Sequence, residues 1–325
     1  MDAPILSINI VSYNTKRITL DCLRSIERSV KSFWLTDKPA KDIEIVIVDN
    51  ASPDGSADEI ATLSQNYSLP IKLIRNSENA GFGRGHNLAA KNSSGELLLL
   101  LNTDTIIQKD AILTLVREYL EHNPSKLEKF KKLISDKSYG EKWHFLGPKL
   151  LNNDFSPQPS CGPYYSIPVI IGALFLKGDY YGLTRYSPNE ITSVDWVSGA
   201  AFICKKEYFD ELQGFDEGIF MYMEEIDLLK RARDKGMTVW FTSKANIVHL
   251  GSASSNKQYP IYQVYRGFLY LYKKHHSKLE FTMVQSILRL KSYISIIVGT
   301  IFNKPKIVET YKNSLAIISE NSNSK

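Results

Sequence analysis

Acidic residues stand at the ends of apolar runs in this chain, where a sheet would expose them. Asp49 closes the run 43–48 and opens the stretch Asp49-Asn50-Ala51-Ser52-Pro53-Asp54-Gly55-Ser56. A carboxylate at a strand end can accept a hydrogen bond from the ring N–H of uracil or thymine. The Asp, Ser, Pro and Gly around it equally suit a turn and a helix N-cap. Asp104 follows the leucine run 97–101 in Asn102-Thr103-Asp104-Thr105. There it can hold a divalent cation through oxygen, with a bound diphosphate filling other positions, or it can form an Asx turn leaving the strand. One carboxylate is a poor cage and Asn102 adds only a neutral amide oxygen, so a metal site needs help from elsewhere.

Glu224 and Glu225 open a helical pattern that runs to Lys235 and stops at Gly236, a usual helix-ending residue. Negative charge is favoured at a helix start, and an adjacent carboxylate pair can supply the general base that takes a proton from a hydroxyl. Asp227 and Arg231 lie four apart and read as a structural pair along the same helix. His249, near the end of a short apolar run, can complete a metal shell or be an ordinary hydrogen-bonded residue. The stretch Asn79-Ala80-Gly81-Phe82-Gly83-Arg84-Gly85-His86-Asn87 has three glycines at alternate positions. They let backbone approach a ligand, and Arg84 can meet a diphosphate, though a tight turn would use the same residues. The spacing is not GxGxxG, and no strand–glycine–helix unit stands at the N-terminus, which disfavours a dinucleotide fold.

The elements that must position these groups alternate. A β-branched run over 5–13 precedes a helical pattern over 15–29 with Ile18, Leu20, Leu23 and Ile26 at its spacing. Strand-like runs at 43–48, 71–75 and 97–101 follow, separated by helical patterns at 56–64 and 87–91. This order predicts a parallel α/β sheet, and ligands bind such sheets where strands end. A helix is expected over 109–121, then an insertion or surface helix over 123–143. The four prolines of 157–168 predict loop. Strand character returns over 195–204, a helix over 205–212, and short strands over 238–241 and 247–250; beyond 257 the pattern is helical. With 325 residues, 43% hydrophobic and 23% charged, the chain can bury one large core with an appendage, and wholesale disorder is excluded.

Taken together, several stretches resemble family 2 glycosyltransferases, inverting enzymes of the GT-A fold, and among them bacterial rhamnosyltransferase-like members. They are Ile8-Asn9-Ile10-Val11-Ser12-Tyr13-Asn14, VDNASPDGS, NAGFGRGHN, LLLLNTDT and the late block WVSGAAFICKK, GFDEGIFMYMEEIDLLKRARDKG and VHLGS. The resemblance covers residues 5–252 in order. It implies a GT-A α/β fold, a mixed and mainly parallel sheet flanked by helices, as a catalytic domain over 1–252. A helical, basic extension over 253–325 follows. By that resemblance Asp49 binds the nucleotide base, and Asn79, Gly81, Arg84, Asn102 and Asp104 belong to the nucleotide-sugar site. Asp104 is then the metal-binding acid of a DxD-type motif in which Asn102 stands where many relatives carry an acid. This departure puts more weight on His249, which matches a metal-ligand histidine. Glu225 aligns with the catalytic base, commonly the aspartate of an ED pair; here the base is a methylene longer, and Glu224 shares the candidacy. Trp196 resembles a residue lining the acceptor or donor-sugar pocket. The implied reaction is a single in-line displacement with inversion, assisted by Mg²⁺ or Mn²⁺. It moves a sugar, L-rhamnose among the options, from a dTDP- or UDP-sugar to a glycan or lipid-linked acceptor in bacterial surface polysaccharide synthesis.

A catalytically silent homologue that only binds nucleotide sugar or glycan is the alternative, and retention of Asp104, Glu225 and His249 argues against it. A sugar nucleotidyltransferase should carry a glycine-rich, arginine-containing loop after its first strand, and Ser12-Tyr13-Asn14-Thr15 is not one. From residue 257 onward eleven Lys/Arg face only Glu280, Glu309 and Glu320, so the tail suits an anionic membrane surface or a solvated helical face. The apolar segment 281–302 is interrupted by Arg289 and Lys291, which predicts a helix lying on a membrane or packed on the core rather than spanning. No nucleic-acid-binding motif is present, so no nucleic-acid partner is expected. Cys22, Cys161 and Cys204 form no CxxC pair, and the start of the chain lacks a basic signal-peptide region. The expectation is a cytoplasmic protein, peripheral on the inner face of the cell membrane where the tail engages it.

Overall fold

In the computed structural model, which describes residues 4–33, 41–123, 141–251 and 259–323, the alternating pattern becomes one mixed sheet. Strands β1 (Leu6–Ser12), β2 (Ile43–Asp49), β3 (Ile71–Arg75) and β4 (Leu97–Asn102) are parallel, with β1 between β2 and β4. Between them run helices α1 (Lys16–Phe33), α2 (Ser56–Ser64) and α3 (Phe82–Lys91). The chain winds outward from β1 to β3, then returns to lay β4 on the other side of β1. That reversal leaves a crevice at the carboxyl ends of β1, β2 and β4, the usual ligand position in an open sheet.

The second half of the sheet is mostly antiparallel. After β5 (Thr105–Ile107) and α4 (Ala111–His122) come β6 (Phe145–Leu151), the short β7 (Pro157–Gln158) and β8 (Cys161–Gly162), and α5 (Ile167–Phe175). Next are β9 (Thr192–Ser193), β10 (Trp196–Val197), β11 (Ala201–Lys205), α6 (Lys206–Glu211), α7 (Glu224–Asp234) and β12 (Val239–His249). The main order is β3-β2-β1-β4-β11-β6-β12-β5.

Period-two alternation divides the core. Leu97, Leu99 and Leu101 join Ile8, Ile10, Ile45 and Ile47 against α1 and α4, while Leu98 and Leu100 face the opposite layer with Phe202 and Cys204. That opposite layer also holds the tail, α8 (Tyr259–His275), α9 (Lys278–Ile301) and α10 (Pro305–Asn323). Tyr265, Phe268, Tyr272, Val284, Leu288 and Ile318 are buried in the same apolar cluster as Phe215 and Ile226. The basic extension therefore shares a core with the sheet.

Four local expectations need correction. The proline-rich stretch is not simply loop: Pro157 starts β7, paired to β6, and Pro168 sits in the first turn of α5, where its missing N–H costs nothing. The strand expected over 195–204 is broken at Ser198–Ala200, so β10 pairs with β8 and β11 with β4. The two short strands near 240 and 248 are a single strand, β12, with a register shift between Thr242 and Asn246. Helix α3 begins at Phe82, so two of the three glycines are helical. Most of the expected insertion at 123–143 lies outside the described residues; at its end Trp143 is buried, stacked on His122 and Trp240.

The Asp227–Arg231 pair forms as expected, at 2.7 Å, and gathers further partners from α8. Lys274 and His275 each approach Asp227 at 2.7 Å, and Lys274 also reaches Asp216. Burial alone would raise the Asp227 carboxyl, but hydrogen bonds from His275 and Lys274 and the charge of Arg231 hold it well below the usual carboxylate range. Its stabilising contribution is then fully present above the unfolded value of about 4 and fades as pH falls through the lower folded value. Asp227→Asn should cost roughly 3 kcal/mol at neutral pH, the low end for a broken buried pair because Lys274 keeps some solvent. Chemical denaturation of both forms checks this: the gap should narrow in acid below about pH 4, and a gap independent of pH would refute it.

Candidate active site

The crevice at the strand ends collects the predicted acids. Asp49, the last residue of β2, is buried; its Oδ2 accepts from the Ser52 N–H at 2.9 Å, closing the Asx turn, while Oδ1 has no partner among the described residues. Asn50 donates to the Gly81 carbonyl at 3.0 Å and accepts from Asn76 at 2.8 Å, tying this turn to the start of α3. There Asn79 Oδ1 accepts from the Gly81 N–H at 3.1 Å.

The glycines of this stretch serve packing against the protein itself. Gly81 has φ +85°, and a Cβ on it would lie 2.5 Å from the Phe220 carbonyl oxygen. A Cβ on Gly85 would collide with Val11. Exposed Arg84 reaches Glu217 at 3.4 Å. His86 is buried against Phe82 and Phe215, and burial pushes its imidazole down to about 3, so it is a neutral core residue.

Around β4 the geometry is tighter. The Asn102 N–H donates to the Ala200 carbonyl at 2.9 Å, and its buried Oδ1 has no hydrogen-bond partner among the described residues. Antiparallel pairing of β5 with β12 sets Thr105 opposite His249, and Leu250 donates its N–H to the Asp104 carbonyl at 2.8 Å. This register brings His249 Nε2 to 3.3 Å from Asp104 Oδ1. His249 Nδ1 lies 2.6 Å from Gln158 Oε1. The amide nitrogen of Gln158 donates to the His249 carbonyl at 3.1 Å and to Asn152 Oδ1 at 2.9 Å. Both of those partners are acceptors, so the amide orientation is fixed and its oxygen must face the ring. Nδ1 then carries a hydrogen, so in the neutral ring it is Nε2, on the Asp104 side, that holds the lone pair.

The imidazole and the carboxylate face one another there, and Asn102 with its unpartnered oxygen stands two residues before Asp104. One imidazole nitrogen, one carboxylate and one amide oxygen suit a divalent cation of the Mg²⁺ or Mn²⁺ kind, with open positions left for a ligand. Among the described residues no group of three or more His, Cys, Asp or Glu assembles into a metal cage.

Glu224 and Glu225 begin α7 after two residues with left-handed backbone, Tyr222 (φ 65°) and Met223 (φ 75°). Such conformations cost energy in residues other than glycine, and surrounding packing must hold them. Gly267 of α8 packs against Met223 and the Tyr222 carbonyl. Glu225 Oε1 lies 3.5 Å from the Gly199 N–H. Gly199 adjoins Ala200, whose carbonyl binds Asn102, so the 198–200 turn that breaks the expected strand connects the glutamate pair to the Asp104 side of the crevice. Burial raises both glutamates, Glu224 well up and further by the charge of Glu225. Glu224 Oε2 is buried without a partner.

Trp196, expected to line a pocket, is instead buried at 2% exposure, with Nε1 donating to the Pro163 carbonyl and its ring stacked on Tyr165. Paired into β10 beneath the turn, it has no open face for a ligand. The Arg185 guanidinium lies 5.5 Å from the Trp196 ring centre, and its charge bears on Glu225. Sequence reasoning missed Arg185 and Gln158; each lies in a segment without periodicity, where no local pattern marks it. Residues 218–221, just before the strained pair, also border a cleft of about 320 Å³ against α8, with Phe220, Gln263 and Arg266 on its walls.

The sequence pattern of glycosyl transferase family 2 matches residues 7–176. The chain belongs to glycosyl transferase family 2 and is a glycosyltransferase. It is 24% identical over 241 residues to the N-acetylglucosaminyl-diphospho-decaprenol L-rhamnosyltransferase of Mycobacterium tuberculosis H37Rv, covering 71% of this chain and 74% of that protein. It is 26% identical to the rhamnosyltransferase WbbL of Escherichia coli K12, covering 52% and 60%. Its fold is GT-A. The mannosyltransferase PcManGT of Pyrobaculum calidifontis, solved with GDP-Man and Mn²⁺, aligns over 98% of this chain and 76% of its own at TM-score 0.53 and 14% identity. GalNAc-T7, solved with UDP, GalNAc and Mn²⁺, aligns over 76% and 44% at TM-score 0.51 and 15% identity.

Proposed function

We propose that this enzyme transfers a deoxyhexose or hexose, L-rhamnose foremost, from a dTDP- or UDP-sugar to a lipid-linked glycan acceptor, with inversion. The observation that carries the site assignment is His249 Nε2 facing Asp104 at 3.3 Å, with Nδ1 held by Gln158 and with Asp104 two residues from the unpartnered Asn102 oxygen in sequence. Asp104, His249 and Asn102 would hold Mg²⁺ or Mn²⁺, which when bound supplies positive charge to the departing diphosphate. Asp49 Oδ1, free to accept, takes the ring N–H of the pyrimidine base.

Glu225 accepts the proton of the acceptor hydroxyl. That oxygen attacks the anomeric carbon while the bond from the same carbon to the diphosphate oxygen breaks, its electron pair leaving with the nucleotide. Burial raises Glu225, while backbone hydrogen bonds, that of Gly199 among them, and the charge of Arg185 oppose the rise and favour the ionised form that takes the proton. Burial and the charge of Glu225 push Glu224 well up, which favours its neutral form and limits a second negative charge beside the base. The donor preference and acceptor class draw support from the rhamnosyltransferase relatives, one named for a diphospho-decaprenol acceptor. Three buried, free cysteines fit a cytoplasmic, reducing setting; burial pushes the Cys22 and Cys161 thiols up to about 12, where they are unreactive.

A thermal-shift screen of dTDP- and UDP-sugars with Mn²⁺, repeated in EDTA, tests the reading. A true donor at a hundred times its Kd should add about 2.7 kcal/mol of stability, lost in EDTA, and the same donor should be hydrolysed slowly. No stabilisation by any nucleotide sugar would refute it; stabilisation with no turnover on any acceptor would leave the silent homologue.

A further inference from the structure

Helix α9 is apolar on two opposite faces. Val284, Leu288, Ser292 and Gly299 point into the protein, and across the helix Leu279, Met283, Leu290, Ile294, Ile297 and Ile301 form an exposed stripe. Leu290 is 55% exposed, Ile297 58% and Ile301 71%. A folded protein gains nothing by presenting such a row to water. A second element presents the same chemistry. The turn after α5 exposes Leu176, Tyr180 (81%), Tyr181 and Leu183 (65%). This turn is built firmly: Leu183 donates its N–H to the Gly178 carbonyl at 2.8 Å, and buried Thr184 hydrogen-bonds Asp179. The two elements are joined, because Lys291 of α9 donates to the Leu174 carbonyl of α5 at 2.8 Å.

We infer that the α9 stripe and the 176–183 turn form one docking surface for an anionic lipid bilayer, with α9 lying in the plane of the interface. Charge selects this occupant. Exposed Lys177 flanks the turn, and Lys278, Lys304 and Lys306 stand at the two ends of α9, within a tail of eleven basic and three acidic residues. A second copy of the chain would set that positive field against itself, whereas anionic headgroups complement it. Tyrosines 180, 181 and 293, exposed at the apolar margin, suit the headgroup level. Although α9 is long and apolar enough to cross a membrane, its inner face is committed to the core and Lys291 to α5, so it offers lipid one face only. The surface is independent of the sugar chemistry, and its test does not use transfer.

Full-length protein should float with vesicles of phosphatidylcholine plus phosphatidylglycerol, and far less with phosphatidylcholine alone or in high salt. Tyr180→Ser/Tyr181→Ser and, separately, Leu290→Ser/Ile297→Ser should each lower partitioning by more than about tenfold, with nucleotide-sugar hydrolysis and melting temperature unchanged. If either pair disturbs folding, Tyr293→Trp supplies a second readout: brominated lipid should quench its fluorescence. Absence of flotation, equal flotation of the variants, or a dimer in sedimentation that these substitutions dissolve would overturn the inference.

Discussion

Glu225→Gln should lower the rate of sugar transfer by about 100- to 10,000-fold, the range typical for loss of a general base, while nucleotide-sugar binding is unchanged. The amide keeps the size of the side chain and can still accept from the Gly199 N–H; only the ability to take a proton is lost. Glu224→Gln is the informative contrast. Burial and the charge of Glu225 push Glu224 well up and favour the neutral form that glutamine imitates, so most activity should survive. The pH profile carries the same assignment. Because burial raises Glu225 above its ordinary value of 4.5, kcat/KM should fall on the acid side at a pH above the usual carboxylate range, the base being lost as it gains its proton. Single-turnover rates and calorimetry of donor binding decide between the two carboxylates. Full activity in the Glu225 variant, or equal losses in both, would move the base elsewhere.

The parallel half of the fold was legible in the sequence because β1 to β3 are short runs rich in branched apolar residues, β4 opens with five consecutive leucines, and the helices between them have their own spacing. Legibility failed where long-range pairing outweighed local preference. The break at Ser198–Ala200 exists because Trp196 and Val197 pair with β8 while Ala201 onward pairs with β4, and no local residue announces two partners. The proline stretch looked like loop because Pro157 and Pro168 occupy the two places where regular structure tolerates proline, a strand start and a helix first turn. For the site, strand-end acids were readable, and so was the structural Asp227–Arg231 pair, since helical spacing is a local property. Burial is not local. The sequence could not say that Trp196 lies beneath the turn, that the glycines of 81–85 make room for Phe220 and Val11, or that Gln158, ninety residues from His249, fixes its tautomer.

That distant glutamine leads to the second large effect. Asp104→Ala should abolish measurable Mn²⁺ binding and with it transfer, because the remaining imidazole and amide oxygen are two neutral donors and cannot offset the charge of the ion. Gln158→Leu should do less, lowering Mn²⁺ affinity by about 10- to 100-fold, the usual cost of removing the group that orients a ligating histidine. Without the Oε1 acceptor the ring is free to carry its proton on Nε2, which turns the donor atom away from the ion. Gln158→Glu makes the opposite change: a carboxylate accepts from Nδ1 at least as well and should hold the lone pair on Nε2. Mn²⁺ titration followed by electron paramagnetic resonance reads all three variants without any sugar donor present. If the leucine variant binds Mn²⁺ as the unaltered protein does, His249 is no ligand, and its approach to Asp104 is an ordinary contact between β5 and β12.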